Sequence, residues 1–134
     1  MARILVIDDQ TSVRGAIRAL LEYEGHTVVA AECGHNAVSA IEAFAFDVVI
    51  VDIIMPGMDG LDTIKILRDS APAVPIIAMS GYAFHGGSSD LDFFHMASEL
   101  GATCCLQKPF RPRQLIDAIE ICRVARSGDA AKVA

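Results

Sequence analysis

The chain has little of several residue types, and each shortage excludes a class of protein. None of its 134 residues is tryptophan and only 6% are aromatic, whereas 53% are hydrophobic, so the core is expected to consist mainly of aliphatic side chains. No stretch approaches the roughly 18 uninterrupted apolar residues of a membrane helix, and we expect no membrane insertion. The N-terminus runs directly into a strand-like segment, which leaves no room for a signal peptide and predicts a cytoplasmic protein.

Basic residues are also in the minority, and no CxxC pair is present. The sequence has 11 Lys and Arg against 17 Asp and Glu, a net charge of -6, without a basic stripe interleaved with aromatics. Direct nucleic-acid binding is therefore not expected. The cysteines lie in apolar contexts and are interpreted as buried, reduced thiols rather than zinc ligands or a disulfide framework. They are Cys33, Cys104, Cys105 and Cys122.

Strand-like and helix-like hydrophobic patterns alternate along the chain. Strand-like runs lie near residues 2–8, 27–31, 47–52, 74–79 and 103–107. Helical spacing follows at about 11–24, 35–45, 60–70 and 111–125, and a further helix is expected after Asp90. This alternation predicts an α/β fold, a doubly wound five-stranded parallel sheet with helices on both faces. Residues 125–134 show no period and are predicted to form a flexible C-terminal tail.

Polar side chains stand where several of the predicted strands end. Asp8 and Asp9 close the first run and Asp52 closes the third, so neighbouring strands would bring three carboxylates into one crevice. Their mutual repulsion favours a bound cation, and hard oxygen ligands suit Mg²⁺. Ser80 and Lys108 end the last two runs. Together these residues predict a phosphoryl site with a carboxylate nucleophile, acids that hold Mg²⁺, a hydroxyl donor and a lysine.

Four segments carry a resemblance to a known family. They are Val6-Ile7-Asp8-Asp9, Val51-Asp52-Ile53-Ile54-Met55-Pro56-Gly57-Met58-Asp59-Gly60, Met79-Ser80-Gly81 and Gln107-Lys108-Pro109-Phe110. With these segments the chain resembles the receiver domain of two-component response regulators over residues 2–124. The resemblance implies the flavodoxin-like fold of that family and a stand-alone, chemotaxis-type signalling module rather than a conventional enzyme.

The resemblance also implies roles for individual residues. Asp52 would accept a phosphoryl group from a sensor histidine kinase or a histidine phosphotransferase. Asp8, Asp9, Asp52 and the backbone carbonyl of Ile54 would hold Mg²⁺. Ser80 would contact the phosphoryl group and Lys108 would pair with its oxygens or with an acid, while Lys108-Pro109 matches a cis peptide of the family. An unknown protein target would then recognise a changed surface.

Two features depart from the family pattern. Receivers commonly carry Tyr or Phe three residues before the lysine, where this chain has Cys105, so the usual aromatic switch is absent. Residues 84–90 are predicted to form an extended loop, because Ser80 and Lys108 are further apart than in most receivers. A receiver-fold scaffold, or a phosphorelay intermediate with weak conformational switching, is therefore a second interpretation.

Two other functions remain open at this point. A haloacid-dehalogenase-like phosphatase also uses a strand-end aspartate with Mg²⁺, but it needs a second aspartate two residues on, where this chain has Gln10. A nucleotide or flavin binder needs a Gly-rich or Ser/Thr-rich phosphate loop after the first strand. Asp8-Asp9-Gln10 would repel phosphate there unless a metal intervened.

Overall fold

The computed structural model describes residues 1–53, 60–80 and 90–133, in which strands and helices alternate as the hydrophobic pattern predicts. The strands are β1 (Arg3–Ile7), β2 (Thr27–Ala31), β3 (Val48–Asp52), β4 (Ile76–Ser80) and β5 (Cys104–Gln107). The helices are α1 (Thr11–Tyr23), α2 (Gly34–Ala43), α3 (Gly60–Ser70), α4 (Asp90–Glu99) and α5 (Pro112–Val133). The predicted α/β alternation is confirmed.

The strands form one parallel sheet in the order β2-β1-β3-β4-β5. Strand β3 is therefore central, with β1 on one side and β4 on the other. Ile7 of β1 lies opposite Val51 of β3, so the chain continues from both strands at the same edge of the sheet. The side chains of Asp8 and Asp52 meet at this edge.

Helices cover both faces of the sheet, and each face has its own apolar core. On one face, α1 and α5 contribute Ile17, Leu21, Leu115 and Ile119 against alternate residues of the strands. On the other face, α2, α3 and α4 pack on the intervening strand residues. This second core includes Ala37, Leu61, Ile64, Leu67 and Ala97. Strands buried on both faces explain the continuous Val, Ile and Leu runs in the sequence.

Helix α1 ends as its sequence predicts. Gly25 has φ +92, a left-handed backbone conformation that glycine adopts without steric cost. Its amide donates to Glu22 O, and the next amide, of His26, donates to Leu21 O. These bonds satisfy carbonyls at the end of the helix and turn the chain into β2.

The last helix is longer than the sequence pattern predicts. Helix α5 was expected to end near residue 125, but it continues to Val133, so nearly all of the predicted tail 125–134 is helical. The apolar period stops near residue 125, whereas alanine, arginine and lysine still favour helix without any apolar stripe. The helix therefore extends beyond the part of the sequence that has an apolar period.

The remaining sequence expectations concern thiols and membrane spans. All four cysteines are free; Cys122 is buried as predicted, whereas the other three are only half-buried. Among the helices in the described part of the chain, none combines the length and apolar character needed to cross a bilayer.

Candidate functional site

Three acidic side chains converge at the carboxyl edge of the sheet. Asp8 follows β1, Asp9 is next to it, and Asp52 ends β3. One carboxylate oxygen from each lies within 4.8 Å of the other two. Asp8 and Asp52 are 0% and 4% exposed, whereas Asp9 is exposed, so among these three acids Asp9 is the one that solvent reaches.

The donor set fits a hard divalent cation. Carboxylate oxygens are the ligands that Mg²⁺ prefers, and Mg²⁺ usually retains water molecules beside one or two protein carboxylates. A cluster with two buried acids and one exposed acid provides such ligands with access from solvent. The predicted fourth ligand, the carbonyl of Ile54, lies outside the described residues.

Lys108 carries the positive charge of the site. Its Nζ donates to Asp8 Oδ2 at 2.7 Å and to Asp52 Oδ2 at 3.1 Å. Burial alone would lower the pKa of Lys108, but the hydrogen bond to Asp8 and the charge of Asp52 outweigh it and raise that pKa above its ordinary value. The ammonium is therefore charged at neutral pH and compensates the two buried carboxylates.

The Asp8 carboxylate is held on both of its oxygens. The backbone amide of Gln10 donates to Oδ1 at 2.8 Å, while Lys108 occupies Oδ2. The guanidinium of Arg14 donates to the Asp8 carbonyl at 2.7 Å and to Thr11 Oγ1 at 3.2 Å. These contacts orient the β1–α1 connection and fix the direction of the acid.

Arg14 and the Gln10 amide are the parts of the site that the sequence did not predict. The available signal for Arg14 was weak, since it is a basic residue in the first turns of a helix that directly follows an acidic pair. Such a residue more often faces solvent.

Ser80 ends β4 beside this cluster and is completely buried. Among the described residues, its Oγ has no hydrogen-bond partner. Its carbonyl accepts a hydrogen bond from the Lys108 amide at 2.8 Å, which joins β4 to the start of the β5–α5 connection. A buried hydroxyl without a partner is costly unless another state of the protein provides one.

The structure also shows two positions of the family pattern that lie outside the charged cluster. The Lys108-Pro109 peptide is cis, as predicted. Cys105, which stands where receivers usually have an aromatic residue, packs against the core beneath α4, in agreement with its core-packing interpretation. Burial raises the pKa of its thiol, although a hydrogen bond with Ser98 opposes this shift. The extended loop 84–90 lies almost entirely outside the described residues.

The arrangement has the parts required to receive a phosphoryl group. Carboxylate nucleophiles, hard cation ligands and a lysine ammonium lie within a few ångströms, and an unpaired hydroxyl ends the adjacent strand. Stabilisation of charge on the transferred group by such fixed groups is the main contribution of a protein to phosphoryl transfer.

Comparisons with known proteins agree with this geometry. The family model described as response regulator receiver domain matches residues 4–120. This match favours the receiver interpretation over the haloacid-dehalogenase-like and the nucleotide-binding or flavin-binding alternatives. The chain is 34% identical over 119 residues to the transcriptional regulatory protein CpxR of Escherichia coli K12, covering 89% of this chain and 48% of CpxR.

Solved receiver structures superpose closely on the chain. A response regulator receiver domain protein from Clostridium thermocellum matches with TM-score 0.84 and 29% identity, over 95% of this chain and 98% of the other. Chemotaxis protein CheY4 of Vibrio cholerae matches with TM-score 0.79 and 30% identity, over 90% and 97% of the two chains.

Many curated relatives are longer than the chain. It spans 24% of the response regulator FleR of Pseudomonas aeruginosa, to which it is 32% identical over 88% of its own length. The chain thus covers about a quarter of FleR and about half of CpxR. Because the family model matches most of its length, the chain belongs to the response regulator receiver family of two-component systems.

Proposed function

We propose that this receiver domain accepts a phosphoryl group on the carboxylate of Asp52, in a Mg²⁺-dependent reaction, from a sensor histidine kinase or a histidine phosphotransferase. The observation that carries the proposal is the position of Asp52. It ends the central strand, between the acid that follows β1 and the hydroxyl that ends β4, and its Oδ2 lies 3.1 Å from Lys108 Nζ.

The choice of Asp52 among the three acids follows from their surroundings. Both oxygens of Asp8 are engaged, one by the Gln10 amide and one by the closer contact of Lys108. Asp9 is exposed to solvent. Water weakens the interaction between charges, so a phosphoryl group on Asp9 would be stabilised less by nearby positive charges. Asp52 is buried and contacts the ammonium, so it combines a protected position with charge compensation.

The reaction is a displacement at phosphorus. An Oδ of Asp52 forms the new P–O bond while the P–N bond to the donor histidine breaks, and the leaving imidazole takes up a proton. Asp8, Asp9, Asp52 and the carbonyl of Ile54 would hold Mg²⁺, which when bound offsets negative charge on the phosphoryl oxygens. Lys108 remains within reach of the new group and supplies a second positive charge.

Ser80 connects the chemistry to a response. Its unpaired Oγ finds a hydrogen-bond acceptor when an oxygen of the phosphoryl group occupies the site. Phosphorylation would therefore favour a conformation in which Ser80 and the chain beyond it move toward Asp52. A downstream protein would then recognise the changed surface.

The second candidate is a receiver-fold scaffold or phosphorelay intermediate with weak switching. Cys105 favours this second candidate. Its half-buried thiol is hydrogen-bonded to Ser98, and it has no aromatic ring that could move into a pocket when Ser80 shifts. Amide NMR spectra of the phosphorylated protein distinguish the candidates. Shifts confined to the neighbourhood of Asp52 favour the scaffold, whereas shifts that reach α4 and β5 favour the switch.

The proposed function is tested by incubation with acetyl phosphate and Mg²⁺, followed by intact mass measurement. We expect an adduct of about 80 Da, the mass of one phosphoryl group, that requires Mg²⁺ and is lost in Asp52→Ala. Asp117→Asn is the matched control, since this exposed acid on α5 pairs with Arg113 and does not belong to the acidic cluster. If acetyl phosphate gives no adduct, a phosphorylated histidine donor is used. Failure with both donors, or an adduct that persists in Asp52→Ala, contradicts the proposal.

A further inference from the structure

The backbone carbonyl of Asp8 is bonded to a side chain of the helix that follows it. Arg14 of α1 donates from Nη1 to this carbonyl at 2.7 Å. The carboxylate of Asp8 is bonded elsewhere, to the Gln10 amide and to Lys108. Because a carbonyl and the next amide belong to one planar peptide group, the Arg14 bond also fixes the plane from which Asp9 begins.

Asp9 depends on this plane more than the other two acids of the cluster do. Asp8 and Asp52 are buried, and each is bonded to an ammonium. Among the described residues, none holds the exposed Asp9 carboxylate by a hydrogen bond or an ion pair. One of its oxygens nevertheless lies within 4.8 Å of an oxygen of each of the other acids. The backbone keeps it there, since Arg14 holds the peptide before Asp9 and Asp8 Oδ1 holds the Gln10 amide after it.

We propose that Arg14 is a positioning residue for the metal site. Its guanidinium holds the Asp8-Asp9 peptide in the orientation that keeps the Asp9 carboxylate beside those of Asp8 and Asp52. It thereby raises the affinity of the cluster for Mg²⁺, although a cationic group cannot itself be a ligand of the ion. The inference rests on the proposed function in one respect, the use of this cluster as a Mg²⁺ site, and deepens it by assigning a role to a residue outside the cluster.

The guanidinium suits this role because two of its nitrogens are held. Besides the bond from Nη1 to the Asp8 carbonyl, Nη2 donates to Thr11 Oγ1 at 3.2 Å. Thr11 and Arg14 lie in the first turn of α1, where the Arg14 amide already donates to Gln10 O at 3.1 Å. The planar fork of a guanidinium loses little freedom for each bond that it forms. Anchored twice on one helical turn, it gives the Asp8 carbonyl a fixed direction.

The charge of Arg14 acts in the opposite sense to its position. A positive group close to a cation site repels the cation. If the guanidinium acted through its charge alone, its removal would strengthen Mg²⁺ binding. If it positions Asp9, its removal weakens Mg²⁺ binding. The sign of the change in Mg²⁺ affinity therefore separates positioning from electrostatic repulsion.

The test measures the Mg²⁺ affinity of the unphosphorylated full chain by titration calorimetry and by amide NMR shifts. Arg14→Met keeps an unbranched side chain but has no donor. We expect its dissociation constant for Mg²⁺ to rise by about tenfold, the loss typical when a residue that orients a metal ligand is removed. Arg18→Met is the matched control, because it removes the same charge from the same helix, where Arg18 pairs with Glu22. This control should not weaken Mg²⁺ binding.

Two further variants carry the test if urea unfolding shows that Arg14→Met is not folded. Arg14→Lys keeps the charge but has one nitrogen in place of the planar pair, so its Mg²⁺ affinity should remain below that of wild type. Thr11→Val removes the bond at Nη2 and leaves Arg14 in place, so it should weaken binding less than the loss of the guanidinium does. Unchanged or increased Mg²⁺ affinity in Arg14→Met, or wild-type affinity in Arg14→Lys, overturns the inference.

The outcome for Arg14 is distinct from the outcome for phosphorylation. If wild type binds Mg²⁺ but accepts no phosphoryl group, the proposed function fails, while weaker Mg²⁺ binding in Arg14→Met still supports the inference. If Asp52 is phosphorylated and Arg14→Met binds Mg²⁺ as wild type does, the inference alone fails. A wild-type chain that binds no Mg²⁺ contradicts both.

Discussion

Lys108 Nζ lies 2.7 Å from Asp8 Oδ2, closer than its 3.1 Å distance to Asp52 Oδ2, although 100 positions of sequence separate Lys108 from Asp8. The ammonium thus binds most closely to an acid that is already held from its other side. Its weaker contact is with the proposed acceptor, so the pairing with Asp52 is the easier one to exchange for a phosphoryl group.

Replacement of Lys108 with methionine is expected to destabilise the domain. The Lys108 and Asp8 side chains are 10% and 0% exposed, and loss of one member of a buried pair typically costs about 3 kcal/mol because the other charge is left uncompensated. Added Mg²⁺ should restore part of the loss. Urea unfolding with and without Mg²⁺ measures the free energy of unfolding of both proteins.

Lys65→Met is the control for this prediction. It removes an exposed ion pair in which Lys65 Nζ lies 4.0 Å from Asp62 Oδ1, and it should cost less than about 0.5 kcal/mol. Equal losses for the two variants would contradict the expectation.

The same lysine predicts a loss of stability in alkali. Its pKa is raised in the folded protein above the unfolded value of 10.5, despite burial, by the hydrogen bond to Asp8 and the charge of Asp52. The folded state therefore retains a proton that the unfolded state has released, and stability falls as pH rises through the folded pKa. The difference in unfolding free energy between wild type and Lys108→Met should be constant below pH 10.5 and shrink above it. If this difference in unfolding free energy grew above pH 10.5, the pKa of Lys108 would be lowered by folding and the prediction would be wrong.

Substitution of Ser80 with alanine should separate stability from signalling. Because the buried Ser80 hydroxyl has no hydrogen-bond partner in the described structure, its removal forfeits no bond and should raise the unfolding free energy by about 1 kcal/mol. Phosphorylation of Asp52 should persist, while the amide NMR shifts it causes in β4 and β5 should diminish. A loss of several kcal/mol would instead reveal a structural role for the hydroxyl.

His26 is expected to make the domain less stable in mild acid. Its Nδ1 accepts a hydrogen bond from the Ala2 amide at 3.0 Å. Burial, followed by the positive charges of Arg123 and the N-terminus, lowers the pKa of His26 below 6.5, although Glu120 and Glu24 oppose the shift. The unfolded chain therefore binds a proton that the folded chain resists, and stability declines as pH falls below 6.5 toward the folded pKa.

Thermal unfolding between pH 7 and pH 5 tests the His26 linkage. His26→Asn keeps an acceptor near Ala2 but does not titrate, so the decline should be smaller than in wild type. His35→Asn is the control, because His35 is exposed and its replacement should leave the decline unchanged. A decline of wild-type size in His26→Asn would exclude this histidine as the source.

Three glycine substitutions should differ in sign and size. Gly101 has φ +110, and a Cβ there would lie 2.7 Å from Arg68 Nε, whose guanidinium donates to three backbone carbonyls. Gly101→Ala should therefore cost about 2–3 kcal/mol through backbone strain and displacement of these bonds. Gly25 has φ +92, but a Cβ added there would meet no other atom. Gly25→Ala should therefore cost only about 1 kcal/mol, from backbone strain alone. Gly15→Ala, within α1 and without neighbours, should stabilise by about 0.5–1 kcal/mol. Chemical unfolding measures the free energy of unfolding of each variant. Equal losses for Gly101→Ala and Gly25→Ala would show that displacement of Arg68 adds no cost.

Much of this structure was predictable because parallel strands are buried on both faces. Their apolar runs locate the strands in the sequence, and the polar residue after each run marks the edge where side chains converge. Asp8, Asp52 and Lys108 could be found in this way, as could the end of α1 at Gly25. The closer pairing of Lys108 with Asp8 could not, since it depends on side-chain directions that no period encodes.

Other features depend on information that the hydrophobic pattern lacks. The hydrogen bond from the Arg14 guanidinium to the Asp8 carbonyl depends on the rotamer of a single side chain. The length of α5 was underestimated because intrinsic propensity continues a helix after its apolar stripe has ended.

The position of Lys108 late in the chain has a consequence for synthesis. A nascent chain emerges from its N-terminus, so the Asp8 and Asp52 carboxylates leave the ribosome long before the ammonium that compensates them. Until β5 follows, the growing chain also presents β4 as an open edge. Charge balance and edge closure are completed by the same short segment, so a translation product cut before it lacks both together.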